Sequence, residues 1–289
     1  MTLREALDRG INLIQKSGSA SPNLDASLLL SAVLGVDRVY LYTHALDALS
    51  DMHLQHFQKL VDRRTSGECV AYILAIKEFH GMDFLVSPDV LVPRPDTETL
   101  VDWALEWLGQ RTPCTNHALR VLDACTGSGC IAVSIKAEFP DSDLVACDIS
   151  EAALDIARRN AQVLLPQTNP HYIPIRFIQS DLLTEVQGKF DLIVSNPPYV
   201  PSDQIDLLSA EVRNEPRLAL DGGPDGLELI QRLIQQAAAR LQSGGQLLIE
   251  AGSEQSLQIE HYFISTGFQG FTLRHDLEGR ERVFGANIP

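Results

Sequence analysis

Apolar residues recur with two different periods along this chain, and the change near residue 119 divides it. Leu3, Ala6, Leu7, Ile11 and Ile14 keep the spacing of one helix face. Thr2 and Glu5 stand where a capping box would satisfy the free N–H groups of a first turn, and Ser17-Gly18 stops the run. A second helix is expected over 24–34, closed by Gly35, and a short third over 39–44. Ser50 is placed to cap a helix over 51–64 that carries Leu54, Phe57, Leu60 and Val61 on one face. A fifth short helix is expected over 69–74. Together these form a small helical bundle.

Two short alternating runs then flank His80-Gly81 within residues 76–86, the pattern of a β-hairpin. Pro95 suits the first turn of a helix, and Asp96 and Glu98 favour its positive end. That helix runs through Leu100, Val101, Ala104, Leu105 and Leu108. Arg111 breaks the stripe, so 109–117 is expected to be a loop. From Leu119 onward, apolar β-branched runs alternate with helical ones. Strands are expected at 121–123, 144–148, 175–179, 190–194 and 246–250, with helices at 130–138, 151–164, 227–241 and 254–263. An antiparallel pair, 268–273 and 282–284, closes the chain. The expected class is α/β: a seven-stranded doubly wound, Rossmann-like sheet (91–289), a β-hairpin linker (76–90) and an N-terminal helical bundle (1–75).

Charge narrows the partners. The chain has 289 residues, 45% of them hydrophobic, enough for one large domain and a small one. Its formal charge is −15. A protein that grips a nucleic-acid backbone presents a basic stripe. Here Arg63-Arg64 and Arg158-Arg159 are isolated pairs, so a protein or small-molecule partner is expected and direct nucleic-acid binding is not. Cys69, Cys114, Cys125, Cys130 and Cys147 form no Cys-x-x-Cys pair, so reduced thiols in a cytoplasmic protein are expected. His53 and His56 lie three apart with no third ligand nearby, so no metal is expected. Met1-Thr2-Leu3-Arg4-Glu5 does not read as a signal peptide, and no apolar run is long enough to span a bilayer. A monomer is expected.

The candidate chemistry gathers at the carboxyl ends of the expected strands, where open α/β sheets bind ligands. Cys125-Thr126-Gly127-Ser128-Gly129 lies between a strand and a helix, and its glycines let the backbone pass close to a ligand. Asp148 ends the next strand, nineteen residues beyond Gly129, placed to accept from both hydroxyls of a ribose. The residue three past Gly129 is Ala132, so a dinucleotide pattern is incomplete and an adenosyl ligand fits better. Asp181 is expected to accept from the adenine amino group, with Leu182 on the ring face. Ser195-Asn196-Pro197-Pro198-Tyr199 follows the strand at 190–194, which the two prolines end because neither can donate to a ladder. The Asn196 amide oxygen and the Pro197 carbonyl offer rigid acceptors to a planar –NH2 group, and Tyr199 offers a flat face.

The Asn-Pro-Pro-Tyr stretch resembles the motif of S-adenosylmethionine-dependent methyltransferases that act on exocyclic or amide nitrogens. Phe79-His80-Gly81, Val92-Pro93-Arg94-Pro95-Asp96-Thr97-Glu98, the 125–129 turn, Glu215-Pro216-Arg217-Leu218-Ala219-Leu220-Asp221-Gly222-Gly223 and Asp276-Leu277-Glu278-Gly279-Arg280-Glu281-Arg282 extend the likeness over most of the chain. It is similar to the release factor glutamine methyltransferases. The resemblance implies methyl transfer from S-adenosylmethionine to the side-chain amide nitrogen (N5) of the glutamine in the Gly-Gly-Gln motif of peptide chain release factors, which the N-terminal bundle would recognise. It implies Asn196, Pro197 and Tyr199 as catalytic residues. Cys125, Thr126, Gly127, Ser128, Gly129, Asp148, Asp181, Leu182 and Asn196 would bind the cofactor, and Asn196, Pro197, Pro198 and Tyr199 the substrate. Arg94 and Glu98 would shape the mouth of the site, with Glu215-Pro216-Arg217 as a wall or lid. Cys125 stands where the family commonly has glycine, Asp96 where some members have glutamate, and Leu182 where some carry an aromatic residue. Two other classes fit part of the pattern. An adenine-N6 nucleic-acid methyltransferase would share the turn and the loop alone, and a catalytically silent binding protein would share the fold.

Overall fold

The computed structural model describes residues 1–111, 118–165 and 172–289, so Cys114 lies outside it. The chain forms two compact units, residues 1–76 with 209–214, and residues 77–208 with 215–289.

In the first unit, α1 (Leu3–Lys16) starts with the reciprocal Thr2–Glu5 box. Helix α2 (Pro22–Leu34) begins on a proline and ends at Gly35 in the left-handed conformation. The short α3 (Arg38–Thr43), α4 (Asp51–Thr65) and α5 (Val70–Leu74) complete the bundle. Ile14, Leu29, Leu30, Phe57 and Val61 fill its core. A later short helix (Ala210–Arg213) also belongs to this unit. Arg64 is buried, and its Nε donates to Asp25 Oδ2 at 2.7 Å and its Nη2 to Ser19 Oγ at 3.0 Å. Glu211, on the returning helix, is its second carboxylate partner.

The hairpin pairs β1 (Ile76–Phe79) with β2 (Met82–Leu85), and both turn residues have positive φ, 49° at His80 and 74° at Gly81. That geometry matches the right-handed twist of the strands it joins. Pro95–Thr97 makes a 3-10 turn into α6 (Glu98–Arg111). The helix therefore continues through residues 109–111, expected to be loop; 112–117 lie outside the described residues. Arg111 remains helical because its guanidinium lies 4.6 Å from the centre of the Trp107 ring and donates to the Gly244 carbonyl at 3.1 Å. A cation is also favoured at that end of a helix.

The sheet is built from β3 (Arg120–Ala124), β4 (Asp143–Asp148), β5 (Arg176–Gln179), β6 (Phe190–Ser195), β7 (Leu241–Glu250), β8 (Gln269–His275) and β9 (Glu281–Asn287). Its seven strands run in the order β5-β4-β3-β6-β7-β9-β8. The first five are parallel and β9 is antiparallel to both its neighbours. Strand β7 begins at Leu241, earlier than expected, so Gly244-Gly245 lies inside it; Leu241 pairs with Phe190 across a register irregularity. Alternation along the strands feeds two cores. Val121, Leu144 and Leu192 face α6 and α7 (Cys130–Glu138), while Leu122, Val145 and Ile193 face the helices Glu228–Arg240 and Ser256–Ser265. Helix α8 (Glu151–Leu164) carries a buried asparagine, Asn160, which exchanges two hydrogen bonds with Leu85 of β2 and donates to the Ser128 carbonyl at 2.8 Å.

The loop after β6 is backed by glycine. A Cβ on Gly222 would lie 2.8 Å from the Pro198 carbonyl oxygen and from Tyr199 Cα. One on Gly226, where φ is 73°, would overlap the Tyr199 carbonyl oxygen. Gln255 clamps the same place, its Nε2 donating to the carbonyls of Tyr199 at 3.0 Å and Gly226 at 3.1 Å. Gly226→Ala should therefore cost about 2–4 kcal/mol by combining left-handed strain with overpacking; chemical denaturation measures it. In the first unit, Asp25→Ala leaves the buried Arg64 short of its partner and should cost about 3–5 kcal/mol, read the same way.

Candidate active site

Strands β3 and β6 stop level with each other. Ala124 is registered with Ser195, whose Oγ donates to the Ala124 carbonyl at 2.7 Å. The 125–129 turn and the Asn196 loop thus leave the sheet side by side. A cavity of about 290 Å³ opens there, near the low end of the roughly 300–1,000 Å³ of small-molecule sites. Cys125, Thr126, Gly127 and Ser128 line it from the β3 turn, Asp148 and Ile149 from the end of β4, Asp181 and Leu182 from beyond β5, and Asn196 and Pro198 from beyond β6. The facing wall comes from residues 88–91, from Pro93 and Arg94, and from Pro216, Leu218 and Ala219.

Three residues expected at the site stand behind these walls rather than among them. Gly129 has a φ of 80° and starts α7; a Cβ there would lie 3.2 Å from Ala157 Cα, so this glycine lets α7 approach α8. Pro197 is buried, and Tyr199 packs on the core beneath the sheet. Glu98 is also not a lining residue: it accepts from the His80 N–H at 3.2 Å and holds the hairpin turn.

The turn is shaped from below by Asp123, a fully buried residue the sequence reading placed only as a strand end. Its Oδ2 accepts from Thr126 Oγ1 at 2.6 Å and from the Ala132 N–H at 3.1 Å, while Oδ1 has no hydrogen-bond partner among protein atoms. Burial pushes its carboxyl up to about 7 against those two hydrogen bonds. Asp148 Oδ2 accepts from Gly127 N–H and Oδ1 from Ser150 N–H, both at 2.9 Å. Burial raises its pKa as well, opposed by these backbone donors. A carboxylate has about four acceptor sites, so two remain for a ligand. Asp181 Oδ2 is taken by Arg232 Nη2 at 2.6 Å, a partner not visible in the sequence pattern. Cys125 and Leu182 both hold positive φ, 59° and 49°, a conformation that glycine adopts without penalty and other residues do not. A glycine at residue 125 would have that freedom; here the cysteine side chain instead lines the cavity.

The Asn196 amide is fixed at one end. Its Nδ2 donates to Thr97 Oγ1 at 3.2 Å, leaving Oδ1 as the free acceptor. Thr97 is 2% exposed, and Glu250, the last residue of β7, is 1% exposed. Tyr199 Oη donates to Glu250 Oε1 at 3.4 Å. Burial pushes Glu250 up to about 7; hydrogen bonding from Thr97 and Tyr199 and the charge of Arg282 pull it down, and Asp96 adds repulsion. Thr97 entered the sequence reading only as one residue of the 92–98 motif and Glu250 only as the end of the expected 246–250 strand, although an acid closing an apolar strand at the carboxyl edge was the signal used for Asp148. On the facing wall, Glu215 receives Arg94 Nη2 at 2.5 Å and the Val92 N–H at 3.1 Å, which fastens the 215–220 segment to the 92–94 strip.

The site suits a cationic adenosyl ligand on its own evidence: a glycine turn, a strand-end carboxylate with spare acceptors, apolar faces from Ile149 and Leu182, and an orphaned buried carboxylate oxygen beside the turn. Comparison with known proteins agrees. Residues 5–74 match the PrmC N-terminal domain and residues 98–222 the methyltransferase small domain. A release factor glutamine methyltransferase of Geobacter sulfurreducens is 39% identical over 99% of this chain and 97% of its own. One from Moorella thermoacetica is 37% identical over 98% of each. The solved hMettl16 catalytic domain, in complex with MAT2A 3'UTR hairpin 6, shares the fold at a TM-score of 0.57 and 16% identity, covering 79% of this chain and 82% of that one. Likeness to the bacterial enzymes along nearly its whole length shows that the chain belongs to the release factor glutamine methyltransferase family.

Proposed function

We propose that this chain transfers a methyl group from S-adenosylmethionine to the N5 amide nitrogen of the glutamine in the Gly-Gly-Gln motif of release factors, with Asn196 aiming that nitrogen. The observation that carries the reading is the Asn196 carboxamide at the cavity wall, nitrogen tied to Thr97 and oxygen free, one strand away from the glycine turn. When bound, S-adenosylmethionine supplies a methyl made electrophilic by its sulfonium. Cys125, Thr126, Gly127 and Ser128 would hold its methionine end, with Gly129 behind them setting the start of α7. Asp148 would hold its ribose, and Asp181 with Leu182 its adenine.

An amide nitrogen is a poor nucleophile because its lone pair is delocalised into the carbonyl. The enzyme's task is therefore alignment more than proton abstraction. Asn196 Oδ1, held in place by the buried Pro197 behind it, would accept from the glutamine –NH2, fix its orientation and stabilise the positive charge that grows on nitrogen as the C–N bond forms and the methyl's bond to sulfur breaks, the sulfonium leaving as a neutral thioether. The proton then leaves to water. Pro198 would keep the loop rigid, and Tyr199, its phenol anchored on Glu250, would brace the loop from behind the cavity wall. The helical unit at residues 1–75 would recognise the body of the factor. The hairpin would serve as linker to the methyltransferase domain. A cytoplasmic monomer without direct nucleic-acid contacts fits a translation-factor substrate and the charge of −15; among the described residues no helix is long and apolar enough to cross a membrane.

Mass spectrometry of purified release factor incubated with enzyme and S-adenosylmethionine should show a gain of one CH2 on the Gly-Gly-Gln peptide. No mass gain there would sink the reading. Asn196→Ala should lower kcat by about 100-fold or more while changing cofactor Kd by less than about threefold; equal losses in both would make Asn196 a binding residue only. Asp148→Ala should weaken cofactor binding by about 10-fold or more, the size expected for hydrogen bonds to a charged acceptor, as calorimetry would read it.

A further inference from the structure

The turn that follows β5 is held by contacts from distant positions. Leu182 keeps a φ of 49° without being glycine, and such a backbone persists only where its surroundings over-determine it. Three hydrogen bonds do so. The Leu182 carbonyl accepts from Cys147 Sγ at 3.4 Å, the Leu183 N–H donates to Gln236 Oε1 at 2.7 Å, and Asp181 Oδ2 accepts from Arg232 Nη2 at 2.6 Å. The first comes from β4, and the other two come from the helix Glu228–Arg240. On that helix Leu229, Arg232 and Gln236 are spaced three and four residues apart, which sets them on one face. Leu229, like Asp181 and Leu182, lines the cavity. Arg232 does not, and reaches the site through Asp181.

Stability does not account for the Arg232–Asp181 pair. Its side chains are 37% and 46% exposed, and ion pairs open to water contribute little. What the pair fixes is a direction. An aspartate this exposed and without a partner would move among its rotamers. With Oδ2 committed to the guanidinium, Oδ1 is the acceptor that remains, and among the described residues no protein group donates to it. The same turn is tied to the strand-end acid of β4, since the Ser180 N–H donates to the Asp148 carbonyl at 2.9 Å.

We propose that Arg232 is a positioning residue that sets the Asp181 carboxylate for the amino group of the donor's adenine, and so makes the site select a 6-aminopurine over a 6-oxopurine. This rests on the reading of Asp181 as the adenine acceptor. A carboxylate paired with a guanidinium accepts on both oxygens and donates on neither. It takes a hydrogen bond from an –NH2 and repels the oxygen of a 6-oxo group. A 6-oxopurine carries its donor on the neighbouring ring nitrogen, N1, instead. A carboxylate free to swing could follow the donor there, and one held by Arg232 cannot. Arg232 itself need not touch the ligand.

Calorimetric titration with S-adenosylhomocysteine and S-inosylhomocysteine, the demethylated donor and its 6-oxo counterpart, tests this on wild type, Arg232→Gln, Asp181→Ala and the double variant. Wild type should bind the amino form about 10-fold or more tightly than the oxo form, the size of a hydrogen bond to a charged acceptor. Asp181→Ala should bring the two affinities within about threefold of each other, since it removes both the bond and the repulsion. Arg232→Gln should cut the wild-type preference by about threefold or more while lowering the melting temperature by no more than about 2 °C. The double variant should show the preference of Asp181→Ala alone, because the arginine acts through the aspartate. An Arg232→Gln enzyme that keeps the wild-type preference overturns the inference, and so does one whose two affinities fall together. A loss on removing Arg232 that persists in the Asp181→Ala background overturns it as well. If wild type does not distinguish the two ligands, or Asp181→Ala still does, the reading of Asp181 as the adenine acceptor fails first and takes the inference with it.

Discussion

The level ending of two adjacent parallel strands is the constraint on which the site depends. With Ala124 paired to Ser195 and tied to it by a side-chain hydrogen bond, the next residue of each strand opens a different part of the cavity wall. Cys125 begins the glycine turn, and Asn196 begins the proline corner. A slip of one residue in this register would turn Asn196 toward the opposite face of the sheet. The two apolar cores, fed by alternate residues of the same strands, resist that slip, because it would also exchange every buried side chain of β6. Core packing and the geometry of the cavity are thus set by the same register.

Around that edge the fold tolerates features that lower stability elsewhere. Cys125 and Leu182 hold left-handed backbone without being glycine. Asp123, Asp148 and Glu250 are carboxyls driven upward by burial. Strain and buried charge of this kind persist only where the surroundings over-determine them. Here the surroundings are identifiable. Asn160 ties the hairpin, α8 and the glycine turn into one hydrogen-bonded unit. Gly222, Gly226 and Gln255 press the Asn196 loop from behind. The acids gathered at the carboxyl edge are also what a positively charged donor needs, since its charge favours their ionised forms.

Much of this was legible in the sequence because it depends on local rules. The capping box at Thr2, the stop at Gly35, the two-residue turn at His80-Gly81 and the period change that announces the parallel sheet are short-range signals, and the structure contains each of them. The family and its cofactor were legible for a different reason: motifs spread over the chain resemble one family. Long-range pairings were not legible. Thr97 meets Asn196 across 99 positions, Tyr199 meets Glu250 across 51 and Asp181 meets Arg232 across 51. No periodicity encodes such partners. Asn160 came closest to being readable, as one polar residue within the apolar stripe of α8, and the persistence of helix through Arg111 was hidden by the same kind of tertiary support.

The corner at Asn196 does not by itself separate a glutamine side chain from an adenine base, because both present a planar –NH2 to the same acceptors. On the proposed function the walls would make that distinction, and their charges favour it. A nucleic acid would bring a row of phosphates past the mouth and needs uncommitted cations to meet them. Of the described residues that line the cavity, Arg94 is the one cation, and its guanidinium is engaged with the buried Glu215. Apart from the carboxylate of Asp89, the remaining facing wall is proline and aliphatic, set in a chain of charge −15. A neutral tripeptide loop requires no counter-charge and can bury itself against such a surface. On the proposed function, the loop after β6 would select the kind of atom that is methylated, and the wall opposite, which offers phosphates no uncommitted cation, would select the kind of molecule that carries it.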